Sequence, residues 1–457
     1  MILRPQALLF AFVTLGAISV TAQQGTLFRP TEPMHAARYG HRATLLSDGR
    51  VLVTGGGQNA GDTSAEVYDP TLNIWTSLMS TMSAARQFHT ATALPNGKVL
   101  VAGGFDTSSP PGTAVATAEL FDPATGVFTP LPSMTAARAG HTATLLPSGR
   151  VLIAAGFALS ASVGSAEIFD PMLGTFESAG SMISRRHLHR ATLLPNGLVL
   201  LTGGPTNTAS AAEIFDETLG TFAPASAQPM VAARWDHSAT LLDDGRVLIA
   251  GGNDPISSTS VSVSEIYDPV ARQFTAIAGR RMQTLRKIHQ ATLLPNGTVL
   301  FTGGLAGYFR TETAEIFDPI TESFRTLFPH TMNRMREGHT ATLIANGEVL
   351  ITGGLTSYYG AQQLAPGANS AEIYDPERVG SATPAQWMRL DRRPGGAMVL
   401  VGRSTPRRTV LIQTQAPNPA IWGAIGYGDT NDDGKFEFTL PPPYNPKRGL
   451  YRMALAE

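Results

Sequence analysis

Cysteine is absent from the 457 residues. That excludes disulfides, thiolate metal sites and any cysteine-derived cofactor, so stability must come from burial. Charge is scarce as well: charged residues make up 15% of the chain and the formal net charge is -1. A nucleic-acid binder needs a basic face to neutralise phosphates, and no such face is available, so no nucleic-acid partner is expected. There is no nucleophile elbow, phosphate loop or metal-binding helix motif. Long apolar runs are missing too, with one exception at the start. Met1-Ile-Leu-Arg4 is followed by an apolar run from Ala7 to Val20 and by small residues at Val20-Thr-Ala22. This reads as an export signal over residues 1–22, too short for a comfortable membrane span. The expectation is a secreted, periplasmic or cell-surface protein with no membrane span after signal cleavage, acting as a monomer.

What the chain has in plenty is glycine, 46 residues, and a unit that recurs seven times. Met34, Met82, Met134, Met182, Met230, Met282 and Met332 each open a copy. An arginine follows four positions on, from Arg38 to Arg336, and a histidine three further, from His41 to His339. A period of about 50 residues fits a four-stranded unit that buries its faces only against neighbours of its own kind. The first strand reads His-x-Ala-Thr-Leu-Leu, as from His141 to Leu146. An Asp-Gly or Asn-Gly turn follows, as at Asp48-Gly49 and Asn196-Gly197, which predicts a two-residue hairpin with positive φ angles. The second strand, Val51 to Gly56 in the first copy, is apolar at consecutive positions, so both its faces should be covered. Its closing glycine pair lets another backbone or ring approach, and Ala155-Gly156 shows that one methyl is tolerated. The third strand is Ala-Glu-Ile-Phe/Tyr-Asp-Pro, and a short fourth strand carries an aromatic six residues after that Asp, as in Trp75 and Phe128.

The seventh copy contains an insertion, and its aromatic, Trp387, arrives late. Phe28 precedes Met34 by six residues, as Phe128 precedes Met134. Residues 23–33 therefore read as a fourth strand that pairs with the last repeat and removes the exposed edges, with Trp387 as the competing candidate. The seven repeats span 34–390. Beyond them, residues 391–457 read as short strands of a small β-sandwich-like module.

Gly-Gly ending strand two, Tyr or Phe in strand three and Trp or Phe in strand four resemble kelch repeats, in particular the bacterial kind related to the central domain of galactose oxidase. The resemblance covers about 355 residues and implies an all-β fold, a seven-bladed β-propeller. It also frames the functional alternatives. Copper radical chemistry of the galactose oxidase type needs a cysteine cross-linked to tyrosine, which this chain cannot form. A metal-free sugar mutarotase, an activity found on exported kelch propellers, needs only acid and base groups, for which His187, Arg185, Asp236 and Glu337 are available. A non-catalytic module that binds an extracellular glycan or protein, or a structural adhesion component, needs neither.

A histidine in every repeat is a building residue rather than a metal ligand, because equivalent positions around a ring lie too far apart to share one ion. The repeat arginines should pair with the repeat glutamates or with backbone carbonyls between blades. Individuality sits in the loops before strand one and after strand two, which the strand order brings to one face. There the candidate ligand-binding residues are Tyr39, Phe88, His187, Trp235, Asp236, Tyr308, Tyr358 and Tyr359. Aromatics with scattered polar groups at a concave mouth suit sugar rings or peptide segments, with Trp235 and Tyr358-Tyr359 as exposed platforms. No residue is assigned a catalytic role. One local motif stands apart: Asp429, Asn431 and Asp433, with Gly434, match the start of a calcium loop. The twelfth position is Leu440 where a bidentate Glu belongs, so calcium is the one cofactor the sequence suggests, beside the alternative of a plain Asp/Asn/Gly hairpin turn.

Overall fold

The structure is a computed structural model. It describes residues 27–376 apart from 58–61, 107, 109–111, 159–160, 205–210, 280, 329 and 357–368, together with the backbone of strands between 386 and 455. The leader sequence read over 1–22, Tyr358, Tyr359, Asn431 and Asp433 lie outside the described residues. Among those described there is no α-helix, and none long and apolar enough to cross a membrane.

Seven antiparallel sheets of four strands follow one another along the chain. The first is built from Arg42–Leu45, Val51–Thr54, Ala65–Asp69 and Ile74–Ser77. The first strand of each sheet lies beside the first strand of the next, and that of the seventh sheet, Thr340–Leu343, lies beside that of the first. The sheets are therefore blades of a closed ring, a seven-bladed β-propeller. In the last blade the outer strand is Phe28–Pro30, which pairs with Ala371–Tyr374 in the register Phe28↔Tyr374. The Phe28 and Tyr374 rings meet at 5.2 Å, as Tyr68 meets Trp75 and Phe121 meets Phe128 at the same place in other blades. Trp387 belongs elsewhere: its strand, Gln386–Arg392, pairs with Met398–Arg403. The module itself contains two three-stranded sheets, one holding Gln386–Arg392, Met398–Arg403 and Lys435–Thr439, the other Trp422–Asp429, Thr409–Gln415 and Tyr451–Leu455.

The core lies between blades. Val51 and Val53 pack on Leu350 and Ile373 of the seventh blade, while Leu52 between them packs on Val99 and Val101 of the second. This explains why strand two is apolar at consecutive positions: alternate side chains serve opposite neighbours, and all four residues are buried in every blade. Each large apolar side chain so placed contributes roughly 1.5–3 kcal/mol.

The hairpin turns differ from expectation. Leu46 and Arg50 close a three-residue loop, with Gly49 N–H donating to the Leu46 carbonyl. Only the glycine is left-handed, Gly49 at φ 86° and Gly197 at φ 84°. This is a turn followed by a glycine bulge, not a two-residue turn with two positive φ angles. The Asp is chosen for its side chain, whose Oδ1 accepts from Arg50 N–H at 3.0 Å.

The repeat polar residues divide the work. Each arginine pairs with its repeat glutamate, as expected, and does so inside its own blade rather than between blades. Arg186 donates to the Gly203 carbonyl at 2.8 Å and to Glu213 at 2.5 Å, and Glu213 also accepts the N–H groups of Ile183 and Ser184. Burial lowers the pKa of Arg186 while Glu213 acts against it. The links between blades come from two other groups. The second glycine of each pair donates its N–H to the carbonyl of the next blade's arginine, from Gly56 to Arg86 at 3.0 Å round to Gly354 to Arg38 at 2.8 Å. A Cβ on the first glycine would strike that same next blade: at Gly203 it would lie 2.3 Å from the Arg234 carbonyl oxygen and 2.5 Å from the His237 ring. Ala155 carries its methyl in that position at φ 58°. Each histidine reaches back to a hydroxyl of the preceding blade, His189 Nε2 to Thr142 Oγ1 at 3.0 Å and His41 to Thr352 at 2.9 Å across the ring closure.

Burial holds all seven imidazoles well below their ordinary pKa, with nearby arginines adding to the effect; His41 falls to about 3. A base whose folded pKa is depressed is fully compatible with folding above its unfolded value of about 6.5. Below that, the unfolded chain takes up as many as seven protons that the folded chain refuses, a slope approaching 10 kcal/mol per pH unit. Cooperative acid unfolding is therefore expected between about pH 6 and pH 4, followed by circular dichroism; unchanged urea resistance from pH 7 to pH 4 would contradict it. Arg186→Ala strands the buried Glu213 carboxylate and should cost roughly 3–5 kcal/mol in chemical denaturation.

Candidate functional site

The loops before strand one and after strand two meet on one face, and there they pair: Gln87 with Phe105, Ala139 with Phe157, Trp235 with Asn253, Lys287 with Leu305, Glu337 with Leu355. Inside this rim runs a narrower ring formed by the residue just before each histidine. All seven are left-handed: Gly40, Phe88, Gly140, Leu188, Asp236, Ile288 and Gly338, with φ between 49° and 65°. Their backbones are joined blade to blade. Phe88 N–H donates to Gly40, Gly140 to Phe88, Leu188 to Gly140, Asp236 to Leu188, Ile288 to Asp236 and Gly338 to Ile288, at 2.8–3.3 Å. Four non-glycine residues held at positive φ, each at a cost of about 1–3 kcal/mol, mark the place where the fold tolerates strain.

Two kinds of surface share this mouth. On one side is an aromatic arc. Tyr39 meets Phe88 edge-on at 5.5 Å, Phe105 lies 5.9 Å from Phe157, and Phe157 lies 5.4 Å from the His187 ring. His187 is half-buried and its Nδ1 is 2.9 Å from Ser162 Oγ; burial lowers its pKa. On the other side are buried charges. Asp236 is 7% exposed, and among the described residues its carboxylate accepts no hydrogen bond. Burial raises its pKa to about 6, with Glu337 adding to the rise and Arg190 and Lys287 opposing it. Glu337 accepts from Arg310 Nε at 3.0 Å and Nη2 at 2.7 Å through one oxygen, while its Oε2 is buried without a partner. Burial raises its pKa, against Arg310. Burial also raises the pKa of the Tyr39 phenol, helped by Glu337 and Asp236. Lys287 Nζ donates to Asn253 Oδ1 at 3.1 Å.

Of the candidates from sequence, Tyr39, Phe88, His187, Trp235 and Asp236 lie on these two rings. Trp235 is partly buried rather than a free-standing platform. Tyr308 stands apart, 69% exposed on the tip of the hairpin Leu305–Ala306 and Phe309–Arg310. Asp429 ends the strand Trp422–Asp429, and its calcium partners fall outside the described residues. Sequence reasoning passed over the left-handed ring, although glycine at three of seven equivalent positions was its signal. It also passed over Arg42 and Arg190, directly after the repeat histidines, where four of the other copies carry Thr or Ser and one carries Gln290.

A family profile described as the Kelch motif matches residues 88–135, the second repeat. The other six repeats carry the same Met, Arg and His at the same spacing, and each belongs to a four-stranded blade. The chain is a kelch-repeat propeller. A solved structure of similar fold is a fungal alcohol oxidase of the AA5 family in complex with copper, at 18% identity and a TM-score of 0.63, covering 91% of this chain and 92% of that one. No curated protein matches the sequence. Identity at that level carries the fold alone. Among the described residues no three His, Cys, Asp or Glu side chains converge on one point, and His187 is engaged with Ser162.

Because Asp236 has a folded pKa raised from 3.8 to about 6, its charge opposes folding above pH 6 and the penalty fades as pH falls towards 4. Asp236→Asn, with a side chain suited to the left-handed region, should stabilise the protein by about 3 kcal/mol at pH 8 and by about half that at pH 5, measured by urea unfolding.

Proposed function

We propose that this kelch propeller is a non-catalytic recognition module whose mouth binds a carbohydrate, free or carried on a protein. The observation that carries this reading is the pairing, on one face, of the Phe105–Phe157–His187 arc with buried carboxylates that lack a full set of hydrogen bonds. A sugar has the matching duality: an apolar C–H face that stacks on aromatic rings, and hydroxyls that donate to buried acceptors. Leaving Glu337 Oε2 unsatisfied costs free energy that a ligand's hydroxyl would recover. An extracellular or envelope glycan is the ligand expected if residues 1–22 act as the export signal that their sequence suggests.

One observation favours a second reading. A carboxyl with a pKa near 6 is poised to exchange protons at physiological pH, as a sugar mutarotase or epimerase requires. Glycan-array binding by the full chain, weakened at least tenfold in Trp235→Ala and in Asp236→Asn, with no acceleration of sugar mutarotation by NMR, is the result expected of recognition. Mutarotation that is lost in Asp236→Asn and has a pH limb near 6 would replace that reading with the enzymatic one.

A further inference from the structure

The position after each repeat histidine opens the innermost strand, and its cross-strand partner is the last residue of strand two. In four blades this position carries a hydroxyl that bonds the next blade's histidine: Thr90 to His141, Thr142 to His189 and Ser238 to His289 at 3.0 Å, and Thr340 to His41 at 3.2 Å. In blades one, four and six it is Arg42, Arg190 and Gln290. There the cross-strand partner is threonine, and it supplies the missing bond: Thr54 to His89 at 2.8 Å, Thr202 to His237 and Thr302 to His339 at 2.9 Å. Where the hydroxyl sits on strand one in blades two, three and five, the partner is Ala102, Ala154 or Ala250. The hydroxyl has moved across the strand pair wherever a longer polar side chain stands first. Blade-to-blade bonding is thereby preserved without Arg42 and Arg190, which are free of the structural duty that their position otherwise has.

Neither guanidinium has a counter-charge in contact. Among the described residues each donates a single hydrogen bond, to the carbonyl of its own preceding histidine, Arg42 Nη1 at 3.2 Å and Arg190 Nη1 at 3.3 Å. The seven repeat arginines, by contrast, all sit against glutamates. Both residues are partly exposed on strands that ring the axis. They sense each other: after burial, the charge of Arg190 is what lowers the pKa of Arg42, to about 10. Asp236 is the acid that acts on Arg190, from beyond ion-pair distance. A guanidinium with Nε and Nη2 open presents the fork that matches an oxyanion.

We propose that the channel beneath the mouth ring holds an oxyanion, the carboxylate or the phosphate or sulfate group of a small ligand, between Arg42 and Arg190, with Gln290 as a further polar contact. The site stands whether or not a neutral glycan binds at the mouth. The test uses the full chain at low ionic strength, with calorimetry and melting temperature read for glucuronate, inorganic phosphate and sulfate, and glucose and chloride as controls. Saturable binding of at least one oxyanion, with a raised melting temperature and no such response to glucose or chloride, is expected. Glucuronate alone would identify a carboxylate ligand, and phosphate or sulfate an ester. Arg42→Gln and Arg190→Gln should each weaken binding roughly tenfold or more. Both should fold, because Gln290 already occupies the equivalent position and Thr54 and Thr202 hold the adjoining histidines. Absence of binding for all three oxyanions, or equal affinity in the double variant, would overturn the proposal. Glycan-array binding that survives the double variant separates this site from the one at the mouth.

Discussion

Everything in this molecule depends on the seam between neighbouring sheets. Each seam is an apolar layer such as Val51, Val53, Leu350 and Ile373, bounded at the mouth end by a histidine–hydroxyl bond and a glycine N–H on an arginine carbonyl. Burying both faces of a sheet excludes charged groups from most of it. The repeat arginine and glutamate are admitted because they satisfy each other and the surrounding backbone within one blade. The histidines are admitted because they remain neutral. The same seam, made seven times, gives both faces of every blade a partner.

Such a ring separates scaffold from function by residue position. Scaffold positions repeat, and functional positions are those at which the repeat can be broken without opening a seam. The residue before each histidine is one, since any side chain willing to sit at positive φ preserves the backbone bonds of the inner ring. The residue after the histidine is another, provided that a threonine stands across the strand pair. Asp236, Arg42 and Arg190 occupy these two registers, which brings an acid with a raised pKa and two arginines outside the repeat ion pairs to neighbouring levels of one axis.

Most of the kelch architecture could be read from the residues, because repetition turns weak local signals into strong ones. The doubly buried second strand followed from Val-Leu-Val at consecutive positions, and the outer aromatics from their constant distance to the Asp. What could not be read was handedness and direction. Asn-Gly announces a turn but does not say whether the asparagine itself is left-handed, and here its side chain, not its φ, was being selected. An arginine and a glutamate in every repeat predict a pair but not which side of the seam it lies on. The site was half legible: Tyr39, His187, Trp235 and Asp236 emerged as departures from the pattern. Arg42 and Arg190 emerged only with the cross-strand register, because their meaning lies in the threonines opposite.

The last blade takes its outer strand from Phe28–Pro30, the first described strand of the chain. A ribosome makes that strand before any partner for it exists, and releases the partner, Ala371–Tyr374, only after six complete blades. Closure is therefore a long-range event, at a sequence separation of more than 340 residues, and the loop entropy it removes must be overcome before the circle can contribute its final seam. Until then the first and seventh sheets each have a bare flank. A chain built this way favours late completion: the two ends of the ring meet only once every blade between them exists.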